Sequence, residues 1–223
     1  MYLAEAEAKL DQRVSSEAPP ATEPLPGGRW QTFPHSVISH HGAACCEVAR
    51  EWVVATDFSL LNGGDLTSGP RWLRERYKWG PSAWPIHWCE LVERKVIDCG
   101  AHAALADAVF KARGLTAFHA QFVQRYTADA TEQWGRKWQA EDVSCHWIDD
   151  DLIYHEGNAL LVGEDEVKLW DGSAGWWLNP RQGDSGGYGS VVAVRIFAGI
   201  QVGGGDGFRW GERRIKPDEW VRI

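Results

Sequence analysis

The sequence predicts an α+β fold, with helices in the N-terminal half and a helix beginning at Cys99 packed on an antiparallel β-sheet. Three observations predict it. Apolar residues recur with a helical period between Val96 and Gly114, and apolar and polar residues alternate after Gly114. Two further apolar runs, "EGNALLV" and "EVKLWD", are separated by turn residues at Gly163 to Asp165, which reads as a hairpin.

The first segment to justify is the start of the chain. Residues 1–28 end in "SSEAPPATEPLPGG", a polar, proline-rich run that cannot build a core and reads as a flexible arm. Residues 29–223 read as a single domain; 44% hydrophobic and 24% charged residues in a chain of 223 suit one core. In "HGAACCEVAREWVVATD", Cys45, Val48, Ala49 and Trp52 fall at helical spacing. "LNGGDLTSGP" is a loop, and Pro70 is placed to open a helix over "PRWLRERYKW". A further short helix is expected from about His87 to Lys95.

The central helix has the clearest boundaries. Ala101, Ala104, Leu105, Ala108, Val109 and Ala112 share one helical face, Asp98 stands at the N-cap, and Gly114 stands where a left-handed residue ends the helix. "LTAFHAQFVQ" follows as a strand with Phe118, Ala120 and Phe122 on one face. "RYTADATEQWGRKWQAED" reads as a polar loop. "SCHWI", the hairpin pair, "GSVVAVRIFAGIQVG" and "FRWGERRI" supply the remaining strands. The chain contains no internal repeat.

Composition excludes several classes. A net charge of −8 without a basic run argues against a nucleic-acid partner. "MYLAEAEAKLDQR" lacks the basic and apolar regions of a signal peptide, and no apolar stretch approaches the roughly 18 residues of a membrane span. Five cysteines, an odd number, read as free thiols in a reducing compartment, so a cytoplasmic location is expected. Most of the fourteen tryptophans read as core. Trp84, Trp88 and Trp176 fall near the chemistry described next.

Cys99 lies in the first turn of its helix, where unpaired N–H groups and the helix dipole favour an anion. A thiol there is expected to have a pKa lowered from about 8.5. A thiolate nucleophile needs a base, and the base needs an acceptor to orient it. His155 starts one hairpin strand and Asp171 ends the next, with the turn centred near Glu164, so a regular hairpin brings the two close. His146 in "SCHWI" is the rival base, although no acceptor follows it at hairpin distance. Cys145 beside it points to the other face of a strand. His102 is expected on the exposed side of the helix, and Asp98 is expected to act as a cap.

The ordered segments "CGAHAALADAVFKARG", "HEGNALLV" and "KLWDGS" resemble the transglutaminase-like branch of the papain-type fold over residues 84–178. That resemblance implies a Cys99–His155–Asp171 triad in a papain/transglutaminase-like α+β domain. It also implies an oxyanion stabiliser upstream of the cysteine, for which Trp84 and Trp88 are candidates together with the Cys99 N–H. Trp176 is placed with them as a substrate contact. The expected activity is acyl transfer from a peptide-like amide or ester through a thioester, resolved by water or by an amine. The tryptophans suit an apolar or aromatic acyl group, and no cofactor is called for. "EGN" after the histidine departs from the family's small or aromatic residues, and no sign of calcium-site regions or extra β-domains favours hydrolysis.

Other motifs compete. "GDSGG" matches the nucleophile motif of trypsin-like proteases and would make Ser185 reactive, but the capped central helix does not suit two β-barrels. "HHGAACC" carries His41, Cys45 and Cys46, yet adjacent cysteines diverge and no metal site is expected. "GGGDG" lacks the strand–helix context and lysine of a phosphate loop. A non-catalytic binding module on the same fold is the remaining alternative.

Overall fold

A computed structural model describes residues 36–39, 42–45, 47, 76–82, 84–91, 93–112, 114–135, 151–180, 189–198 and 207–223. The N-terminal arm, His40, His41, Cys46, Cys145, His146 and Ser185 lie outside the described residues. Strand β1 (Lys78–Trp79) pairs in parallel with β2 (Val96–Ile97), and the short helix α1 (Trp88–Leu91) lies between them in sequence. Two expectations shift here. The helix foreseen through Trp79 has given way to strand by Lys78, where the backbone bonds to the chain around Val96 instead of continuing its own ladder. The helix foreseen from His87 to Lys95 is limited to one turn.

Helix α2 (Cys99–Ala112) is the central element. Asp98 caps it: its Oδ1 accepts from the Ala101 N–H at 2.9 Å. At the other end Gly114 adopts φ +71°, the left-handed region a glycine enters without a Cβ penalty. Gly114 donates to the Lys111 carbonyl and Leu115 to the Phe110 carbonyl, both at 3.0 Å, closing a Schellman turn.

The buried face of α2 is rotated from the expected one. Ala101, Leu105 and Val109 are buried as foreseen, but Ala106 and Phe110 join them, while Ala104 and Ala108 are only half-buried. In an alanine-rich helix the small residues mark no face; the largest side chain, Phe110, decides it by entering the core. His102 is fully buried, not exposed.

Six strands form one antiparallel sheet in the order β10-β7-β3-β4-β5-β6. They are β3 (Ala117–Tyr126), β4 (Leu152–Leu161), β5 (Val167–Asp171), β6 (Trp176–Trp177), β7 (Gly189–Phe197) and β10 (Val221–Arg222). A separate hairpin joins β8 (Phe208–Trp210) to β9 (Arg213–Ile215). Between β3 and β4, a helical turn at Ala128–Ala130, capped by the Thr127 hydroxyl, occupies part of the expected loop.

Helix α2 packs Leu105, Val109 and Phe110 against Ala117, Leu160 and Trp170 on one face of the sheet. Phe118, Phe122 and Val194 bury the other face together with Phe208, Trp210 and Ile215 of the small hairpin. Because both faces are covered, polar residues on β3 and β4 are buried as well. Among the described residues no helix is long and apolar enough to cross a membrane.

Candidate active site

The β4–β5 hairpin brings an imidazole and a carboxylate together. Its register pairs Asn158 with Trp170 and Leu161 with Val167, which centres the turn on Glu164 as the sequence suggested. Extending that register sets Ser173 opposite His155, and Ser173 Oγ lies 3.2 Å from His155 Nε2. The same nitrogen lies 2.9 Å from Asp171 Oδ1. Strand β5 ends at Asp171, and its register with β4 ends at the Asn158–Trp170 pair among the described residues.

Asp171 is held by its own turn. Oδ1 accepts from the Ser173 N–H at 3.1 Å, the Ser173 hydroxyl at 2.9 Å and the Ala174 N–H at 2.9 Å. Burial opposes the carboxylate's charge, but His155 and these donors hold its pKa below the usual value.

Cys99, 3% exposed at the first position of α2, lies close enough to His155 for the two to influence each other electrostatically. Burial works to lower the His155 pKa, yet the Asp171 carboxylate holds it well above its ordinary value. Burial pushes the Cys99 thiol up, and His155 pulls against that shift. The lowering expected from the helix terminus is therefore not found: burial is the largest influence and raises the thiol.

The tryptophans separate into different roles. Trp84 is exposed, 38% accessible, and its indole N–H donates to Asp98 Oδ2 at 2.6 Å. That N–H is committed to the helix cap and is not free to stabilise an oxyanion. Asp98 itself is buried, which raises its pKa, and its own N–H donates to the Ser82 hydroxyl. Trp88 packs against the core beneath α2. Trp176 pairs in register with Asp171 and packs against the opposite core. The Cys99 backbone N–H, in the first turn of the helix, has no intrahelical acceptor.

Sequence reasoning missed several groups. Glu156, His119, Tyr154 and Gln121 form a buried polar cluster beside the helix start. The signal was present in the alternation: Tyr154, Glu156 and Asn158 share one face of β4, as His119 and Gln121 share one face of β3. His102 keeps both ring nitrogens without a hydrogen bond, and burial lowers its pKa to about 3, so it stays neutral. Among the described residues, no group of three or more His, Cys, Asp or Glu side chains could hold a metal ion. Comparison with protein-family models, characterised proteins and solved structures gave no match to this chain.

Proposed function

We propose that the protein is a cysteine-dependent acyl-transfer enzyme of the transglutaminase-like, papain-type class, acting on a peptide-like amide or ester. The observation that carries this reading is the series of Cys99 thiol, His155 ring and Asp171 carboxylate at the start of α2, with Nε2 to Oδ1 at 2.9 Å. His155 takes the Sγ proton as the sulfur attacks the substrate carbonyl, and Asp171 orients the ring and stabilises the imidazolium. The Cys99 N–H faces the developing oxyanion. His155 then protonates the leaving amine or alcohol as the C–N or C–O bond breaks, leaving a thioester on Cys99. Water or an amine, deprotonated by His155, attacks that thioester and releases an acid or an amide with the free thiol.

The nearly complete burial of Cys99 favours a second reading, a binding module whose thiol is structural. Incubation of the full chain with a p-nitrophenyl ester of an aromatic acid, followed by peptide mass mapping, distinguishes the readings. An acyl adduct on Cys99 that is lost in His155→Ala supports the enzyme. Absence of an adduct supports the binding module, and an adduct on Ser185 supports the serine-protease alternative.

A further inference from the structure

Adjacent strand residues point to opposite faces, so the residue after His155 belongs to a different environment. Glu156 is 4% exposed and three groups bond its carboxylate. Oε2 accepts from the Ser36 N–H at 3.2 Å and lies 2.8 Å from His119 Nε2. Oε1 accepts from the Tyr154 hydroxyl at 2.5 Å, whose oxygen in turn accepts from Gln121 Nε2 at 2.6 Å.

This cluster sits on the start of α2. A Cβ placed on Gly100 would lie 2.1 Å from Ser36 Oγ and 3.0 Å from Glu156 Oε2, so the helix backbone fits only because residue 100 has no side chain. A buried carboxylate is expensive unless paired and hydrogen-bonded. Burial opposes the charge of Glu156, but His119, Tyr154 and Ser36 keep its pKa below the usual value. The groups that bear on the Cys99 thiol are thus His155, Tyr154 and Glu156 from β4 and Asp98 ahead of the helix, with Asp171 acting through His155 and His119 through Glu156.

We propose that Glu156 is a positioning residue for Cys99, clamping Ser36 and β3 onto the helix start and holding a fixed negative charge that keeps the sulfur a neutral thiol until His155 takes its proton. This rests on the reading of Cys99 as nucleophile. Asp98, ahead of the helix, bears on the thiol in the same sense.

The test is the pH profile of Cys99 alkylation by iodoacetamide in the full chain, mapped by mass spectrometry, for wild type, Glu156→Gln and Glu156→Asp. Thermal unfolding is followed in parallel. Removing the charge lowers the midpoint, so below it Glu156→Gln alkylates severalfold faster than wild type. Glu156→Asp keeps the charge but withdraws it by one methylene, and its midpoint falls between the other two. A profile that superimposes on wild type in any folded variant overturns the proposal; where Glu156→Gln does not fold, Glu156→Asp decides. Acylation by the p-nitrophenyl ester in the same samples separates the two claims. An adduct with unmoved profiles overturns the role of Glu156 alone. Shifted profiles without an adduct overturn the nucleophile and leave Glu156 set against a structural thiol.

Discussion

Two buried carboxylate–imidazole pairs flank the start of the same helix, and they differ in how they are built. Asp171 and His155 belong to one hairpin, sixteen residues apart, and meet at 2.9 Å. Glu156 and His119 meet at 2.8 Å across β3 and β4, thirty-seven residues apart. The Asp171 oxygen takes its remaining donors from the next few residues of its own turn, whereas Glu156 draws on Ser36, 120 residues away. The first pair is local, built within one hairpin. The second stitches distant segments together. On the proposed reading, neighbouring residues of one strand supply the chemistry and the alignment separately.

The comparison is sharpened most by Asp171→Asn. It leaves the local shape but removes the charge that holds His155 as a base, and acyl transfer is expected to fall by about 10²- to 10⁴-fold, read as the rate of ester turnover. Glu156→Ala is expected to act on folding instead, by about 3–5 kcal/mol in a denaturant titration, because it removes the buried carboxylate to which His119 and Tyr154 bond. Equal stability losses from the two substitutions would break the distinction.

The pH dependence of stability carries the next effect. Asp171 and Glu156 both have depressed pKa values, so their contribution is present above the unfolded carboxylate values of about 4 and is lost as pH falls through the folded ones. His155 has a raised pKa, so its contribution is full below about pH 6.5 and is lost as pH rises through the folded value. Asp171→Asn should therefore flatten the alkaline limb of a melting-temperature profile, while Glu156→Gln should leave that limb and change the acid one. The smallest effect expected is that of Asp98→Ala, about 1 kcal/mol from loss of the helix cap. That substitution also frees the Trp84 indole, which intrinsic fluorescence would register.

Much of this was readable in the sequence, for a physical reason. Helix ends are local: Asp98 and Gly114 marked α2 without knowledge of its partners. Hairpin register is nearly local, and the turn at Glu164 was enough to bring His155 toward Asp171. The register between β3 and β4 spans a connection from Tyr126 to Leu152, so nothing nearby placed His119 against Asn158 or Gln121 against Glu156. Burial was also hidden. Alternation in "LTAFHAQFVQ" implied one wet face, but α2 covers it, and His102, expected outside, lies inside for the same reason. Trp84 was recognised as close to the helix start, yet its bond to Asp98 depends on the fold around Ser82.

The most direct measurement of the central claim is site-resolved iodoacetamide labelling between pH 4 and 9, on wild type and His155→Ala. In wild type, Cys99 is expected to react faster than Cys45 and Cys89 despite its burial, because His155 accepts its proton; His155→Ala should abolish that advantage. If Cys99 reacts no faster than Cys45 and Cys89, and His155→Ala changes nothing, the thiol is a buried structural residue and the acyl-transfer reading is wrong.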